Sequence, residues 1–429
     1  MAAPRRATGA NVYFTGAYES EYGLQAAGNW NGLRAYSFGL GMAQELLDEP
    51  LLGAGRDPDA FQLGAIDVNG TVAVPVDQRL FGFWLRLGLG ATQSSTQVGA
   101  RGFIDFSALP VATGTITLAG TVWTFVAGAA AGPQTQIGAT LAATVTQLAS
   151  DLNASAVPAI SAATYTADGT RLRIQHDTAT TAGNSFSLAA DANSKGKVSG
   201  ATLVGGGLYR HTWYSGAPVL PSMSIETEHR DLAPGDTRFY QRLGVGLNTL
   251  QIDRARAGSV RAQLGLIGQS ETRTTASQAG APVQLPLDLF SQFQGNIRFA
   301  GEPTVNLTGG NFAFGNNLDA VPTIDTDGLI GGLDPGSTSI GFSLTGRLSS
   351  TRLKAIADGG LADVLQYGFR SATNGAELLI TAHQVQLPKP RVDIQGPGGI
   401  ELTWEAKGSR AVALGRAMTV EYFNDVAGY

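Results

Sequence analysis

The stretch Arg391–Arg410, RVDIQGPGGIELTWEAKGSR, carries the reading of the fold. Ile400, Leu402 and Trp404 fall on one side of an extended chain, and Glu401, Thr403 and Glu405 fall on the other. That period of two belongs to a strand with one buried face and one wet face. The run Gly396–Gly399 in front of it, Gly-Pro-Gly-Gly, predicts a rigid turn, so the stretch reads as a closing hairpin whose first arm begins at Arg391. Neither arm holds a nucleophile, a general base or a cluster of metal ligands.

Composition extends that reading to the whole chain. The 429 residues are enough for two or three domains of ordinary size, each with its own core. The 57 glycines stand among alternating Val, Ile, Thr and aromatic residues, which predicts many strands joined by tight turns. The absence of cysteine excludes disulfides and thiolate metal sites, leaving burial and backbone hydrogen bonds to hold the fold. A net charge of −5 argues against a basic grip on nucleic acid. No apolar run is long enough for a membrane helix, and the N-terminus has two arginines with no apolar segment behind them, unlike a secretory signal. The composition is that of a soluble, mainly β protein.

Along the chain, residues 1–100 read as the N-terminal part of a first unit. Asn69-Gly70 predicts a hairpin turn there, and Asp77 predicts the cap of a helix carrying Leu80, Trp84 and Leu87. Residues 101–206 shift to Ala, Thr, Gly and Ser. They hold GTITLAGTVWTF and a helical stripe of Leu141, Val145, Leu148 and Leu152 behind Thr140, and they read as an inserted α+β domain. Residues 207–235 complete the first unit, and 236–429 form a second, similar one. In the second unit, Leu353, Ile356 and Ala357 predict a helix, broken at Gly359-Gly360 and resumed at Val364 and Leu365.

Catalytic patterns are missing. The sequence has no G-x-S-x-G elbow, no phosphate-binding glycine loop and no helical H-E-x-x-H pair. His176, His211, His229 and His383 stand apart and read as hydrogen-bonded or surface residues. Asp325, Asp327 and Asp334 in DTDGLIGGLD lack the closing glutamate of a calcium loop and read as a turn. Glu226 and Glu228 lie on the polar side of a strand whose other side carries Met223 and Ile225, which suggests a solvated face rather than a glycosidase pair. No catalytic residue, cofactor or metal is expected.

Three stretches in order, GRDPDAFQLGAIDVNGTVAVPVDQRLFGFWLRLGLG, YRHTWYSGAPVLPSMSIETEH and the closing VDIQGPGGIELTWEAKGSRAV with MTVEYFND, resemble the major tail tube protein of long-tailed, siphovirus-like bacteriophages. Residues 101–206 resemble the small Thr/Ala-rich domain that decorates phage tail proteins. The resemblance implies a β-barrel or sandwich with flanking helices, in two similar units plus the inserted domain. It also implies chains joined into rings, stacked as the tube through which phage DNA passes, in a virion tail assembled in the host cytoplasm. Three chains of two units each would imitate a six-fold ring. The implied partners are other copies of the chain, the tape measure protein, the tail terminator, the distal tail protein and DNA in transit, held loosely.

Further expectations follow from that resemblance. The insertion should lie outside the tube and be dispensable for assembly. The segments Met1–Gly16 and Glu19–Asn31 should order only on assembly. The channel should be net negative, with Glu226, Glu228, Glu401, Glu405 and Glu421 as its candidate lining. Two other classes fit the composition less well: a carbohydrate-binding or adhesive β protein using Trp123, Trp213 and Tyr214, and a hydrolase on a β scaffold.

Overall fold

The computed structural model describes residues 6–48, 57, 60–233, 235–304, 306–324, 328–347, 352–392, 394 and 398–429. Its main body is a sandwich of two antiparallel sheets. The front sheet runs, strand by strand, through Gly41–Leu47, Gln62–Pro75, Arg261–Gly268, Phe239–Arg254, Leu307–Gly315, Ser339–Arg347 and Glu401–Gly408. The back sheet runs through Gly295–Phe299, Asp363–Arg370, Glu377–Gln386, Met418–Asn424, Tyr209–Tyr214 and Ser94–Gln97. The sheets touch at one corner, where Val385 and Gln386 pair with Gly408 and Lys407.

Alternation explains the sandwich. Phe312 and Phe342 point inward from the front sheet and meet Tyr367 of the back sheet at ring-centroid distances of 6.1 and 6.5 Å. The Tyr367 hydroxyl donates to the Ile252 carbonyl at 3.1 Å, so this polar atom in the layer is satisfied. Each fully buried Phe or Leu here contributes about 1.5–3 kcal/mol. One contiguous core runs from Leu33 to Tyr422. It includes Phe81, Trp84, Leu85 and Leu87 from the helix Phe81–Leu89, whose leading backbone N–H groups at Leu80 and Phe81 both donate to the Asp77 carboxylate at 2.9 Å. The expected cap is therefore present.

Residues 100–203 carry a second core, separate from the first, with Ile104, Phe106, Trp123, Phe125, Leu148 and Leu172 among its members. Its helix, Leu141–Asn153, starts where Thr140 accepts from the Ala143 N–H at 3.2 Å. The stripe Val145, Leu148 and Leu152 is buried, as helical spacing predicts. The chain enters and leaves this part side by side: Val98 N–H donates to Leu208 O and Arg101 N–H to Val204 O, each at 2.8 Å.

Several local expectations are corrected. Asn69-Gly70 is no hairpin turn but lies inside the single strand Gln62–Pro75. A side chain at Gly70 would collide with the Gly39 carbonyl, so close backbone approach, not a turn, accounts for the glycine. The helix Arg352–Gly359 does not resume. Val364 and Leu365 belong to the strand Asp363–Arg370, with Gly360 at φ +66° ending the helix. Glu401–Gly408 is the strand expected, but it pairs with Ser339–Arg347 rather than with a neighbouring arm. Val392 and Ile394 are exposed and outside any strand; Gly396 and Pro397 of the turn lie outside the described residues. The loop Glu19–Asn31 is tied down. Glu19 accepts from Ser222, Ser224 and the backbone of Gly23 and Gly244, while Trp30 and Ala26 are buried beside Ala17 and Ala279.

Candidate functional surface

The outward face of the front sheet is built from small and polar side chains. Thr403 and Glu405, Thr345 and Ser343, Asn311 and Ala313, Gln251 and Asp253, and Gln263 stand side by side across five strands. They bond to one another along and across the strands. Ser343 donates to Glu405 at 2.8 Å, Thr345 and Thr403 share a 3.0 Å bond, and Asn311 and Gln251 donate to Asp253 at 2.8 and 2.9 Å. Arg347 lies 3.3 Å from Glu401. On this face the acidic Asp67, Asp253, Glu401 and Glu405 stand with the basic Arg261, Arg347 and Lys407, so it is polar and carries no excess of positive charge.

Both lateral edges of this sheet are open. Among the described residues, Gly41–Leu47 pairs only with Gln62–Pro75, and the far edge of Glu401–Ala406 has no strand beside it. The first edge ends in apolar residues: Leu46 and Leu63, opposite each other, are 64% and 69% exposed, and Phe61, Met42 and Leu47 stand out around them. Open edges present unpaired backbone N–H and C=O groups that another strand can meet.

Of the five carboxylates proposed from sequence, only Glu401 and Glu405 lie on this face. Glu226 is buried, accepting from Ser277 Oγ at 2.6 Å and Gln278 N–H at 2.7 Å, because residues 277–279 cover the strand face that reads as solvated. Glu228 is held between Arg230 and Arg238 at 2.9 and 3.4 Å. Glu421 lies on the back sheet, 3.8 Å from Arg210, in a cleft also lined by Arg101 and Arg173 from residues 100–203.

That back-sheet cleft is the feature that motif searching does not find. The strands Arg101–Phe106 and Arg171–His176 turn Ile104, Leu172 and Ile174 into their own core and turn Arg101, Phe103, Asp105, Arg171 and Arg173 toward the back sheet. Arg101 and Arg370 bond Glu377 at 2.7 and 3.1 Å. Arg171 and Arg298 bond Asp105 at 2.6 and 3.2 Å, and Arg173 bonds Asp168 at 2.6 Å. These arginines hold the Glu377 carboxyl down to about 2 against the opposing effect of burial, while burial lowers Arg101 to about 10. The alternation of Arg171 and Arg173 with Leu172 and Ile174 was the available signal.

The histidines are structural. His211 is buried between Ser95 Oγ at 3.0 Å and the Val426 carbonyl at 2.8 Å, and burial lowers its pKa. His383 bonds Thr419 Oγ1 at 2.8 Å, and His176 Nδ1 accepts from the Thr178 N–H at 3.1 Å. Asp325 and Asp327 lie outside the described residues. Among the described residues, no group of His, Asp and Glu is placed to hold a metal ion.

The described structure is a mainly β sandwich with a polar face and open strand edges. The chain belongs to the phage tail tube protein family, whose family model matches residues 9–408. No curated protein matches the chain significantly. It is thus a virion structural protein of a bacteriophage tail, from a family whose role is to assemble into the tube.

Proposed function

We propose that the chain closes into rings by joining the two open edges of its front sheet to those of neighbouring copies, and that the rings stack around a channel for DNA. The observation that supports this reading is the front face itself, a continuous hydrogen-bonded array of small polar residues between two unpaired edges. Main-chain pairing at such edges gives affinity, and the apolar Leu46–Leu63 tip gives it a hydrophobic anchor.

The ring contains three chains. In each half of the chain a front strand leads through a helix into a back strand: Gln62–Pro75, Phe81–Leu89 and Ser94–Gln97 in the first, Ser339–Arg347, Arg352–Gly359 and Asp363–Arg370 in the second. Three such pairs imitate six-fold symmetry. Residues 101–206 form an inserted domain on the back sheet, away from the channel. The tube passes DNA by not binding it, since a face with no excess of positive charge offers the phosphates no counterion-releasing contacts. The tape measure, tail terminator and distal tail proteins are its tail partners.

Electron microscopy of the concentrated purified protein tests this. Rings or tubes of fixed diameter with three chains per ring are expected, and Leu46→Asp with Leu63→Asp should leave a folded protein that does not polymerise. Tubes formed equally well by that variant, or six chains per ring, would refute the corresponding part.

A further inference from the structure

Between the back sheet and residues 100–203 lie two adjoining clefts of about 420 and 460 Å³ that share Phe103, Arg173, Gln366, Arg370 and Glu377. Their charges do not balance. Six arginines, at 101, 171, 173, 210, 298 and 370, face four carboxylates, Asp105, Asp168, Glu377 and Glu421, and Lys197 adds a seventh cation. In a chain with net charge −5 this is a local reversal of sign.

The arginines are also short of acceptors. Arg101 is 7% exposed and Arg298 2%, yet the Nε of each has no hydrogen-bond partner, and neither does the buried Nε of Arg210. Among the described residues, Arg210 has its carboxylate contact with Glu421 at 3.8 Å, too long for a hydrogen bond. Buried donors without acceptors, in an unbalanced cluster of cations, are costly unless an anion joins them.

We propose that this cleft binds an oxyanion of the phosphate class. Arg210 and Arg173 are its direct ligands, at the open end of the cleft, where the Thr166 and Thr381 hydroxyls also line the wall. Arg101 adds charge from behind, its guanidinium fixed over the Phe423 ring at 3.3 Å and bonded to Glu377 and the Gly375 carbonyl. Planar guanidinium forks match the geometry of phosphate oxygens, which a chloride ion cannot exploit. The occupied site would brace the seam between the two cores. None of this depends on the chain polymerising.

The test is calorimetric titration of the full chain, unpolymerised, in low-salt chloride buffer at neutral pH, with inorganic phosphate in one arm and glycerol phosphate in the other. Saturable binding of one anion per chain is expected. Binding of both ligands indicates recognition of the phosphate group alone, and binding of inorganic phosphate alone indicates a site closed to esters. Arg210 is partly exposed, so Arg210→Gln should fold and weaken binding roughly tenfold or more, the loss of one charge-assisted contact, with Arg210→Lys between. Arg230→Gln, outside the cleft, should leave affinity unchanged. Absence of saturable binding beyond that of chloride at equal ionic strength, or equal affinity in Arg210→Gln, overturns the proposal.

Discussion

Arg101 and Glu377, 276 residues apart in sequence, meet at 2.7 Å, and the same carboxylate oxygen receives Arg370 at 3.1 Å. This contact ties the first strand of residues 100–203 to the middle of the back sheet. Both partners are largely buried, so removing one leaves charge without a counter-charge. Glu377→Ala should destabilise the protein by about 3–5 kcal/mol, read by denaturant unfolding. A loss below about 1 kcal/mol would show that the two arginines find solvent when their partner is gone.

Two carboxyl groups should give opposite pH dependence. Glu377 has its pKa lowered to about 2, so the folded form favours its ionised state; its contribution is complete above the ordinary value of 4.5 and is lost as pH falls toward 2. Asp77 has its pKa raised to about 6 by burial, in spite of the backbone N–H groups that favour its charge. Its ionisation therefore costs stability as pH rises from about 4 through 6. The stability difference between the wild type and Asp77→Asn should change across pH 4–6, and that between the wild type and Glu377→Gln across pH 2–4.5. Flat differences would contradict both assignments.

Gly82 and Tyr429 form a matched pair. A Cβ at Gly82 would run into the Tyr429 ring, which stands edge-on to Phe83 at 5.3 Å and to His211 at 4.8 Å. The Tyr429 hydroxyl donates to the Arg79 carbonyl and accepts from Asn424, both at 2.6 Å. Gly82→Ala should destabilise by about 1–3 kcal/mol through overpacking, although alanine is the better helix former. Tyr429→Ala should cost about 2–3 kcal/mol. With Tyr429 removed, Gly82→Ala should become neutral or stabilising, so a thermal-unfolding cycle of the four proteins should be strongly non-additive.

The parts of this structure legible in the sequence are those set by local pattern. Thr140 with its stripe, Asp77 ahead of its helix, and the alternation from Ile400 to Glu405 all depend on neighbours within a few residues. Asn69-Gly70 misleads because the constraint on Gly70 comes from Gly39, a strand away, and not from the turn its dipeptide favours. Glu226 reads as solvated because its cover, residues 277–279, is about fifty residues distant. The arginine cleft is dispersed from Arg101 to Arg370, each residue lying on what looks like the wet face of its own strand. Which polar faces meet each other is decided by the packing of sheets, and alternation carries no record of it.

The front face makes a prediction about DNA. Its acidic side chains, Asp67, Asp253, Glu401 and Glu405, outnumber the basic Arg261, Arg347 and Lys407, so tubes of the wild-type chain should not retain duplex DNA even at low salt. Glu401→Lys together with Glu405→Lys would add four positive charges per chain to the same face. Those tubes should bind duplex, with affinity falling steeply as salt is raised. If they bind no better than the wild type, Glu401 and Glu405 face away from the channel.

Residues 102–203 should be removable without loss of tube formation. The flanking backbone is already paired, with Arg101 N–H on Val204 O and Val98 N–H on Leu208 O, so a short Gly-Ser turn can close the gap. The deleted part takes its own buried cluster with it and leaves the main core, Leu33 to Tyr422, intact. Glu377 keeps both Arg370 and Arg101, and Arg298, which loses Asp105, gains water in exchange. The cost is an uncovered back-sheet face, including Leu379 and Phe423, so a modest fall in thermal stability is expected. On the proposed joining of front-sheet edges, the shortened chain should form tubes with the same channel and a smaller outer diameter by electron microscopy. A folded, soluble variant that makes no tubes would show that residues 102–203 supply contacts between chains.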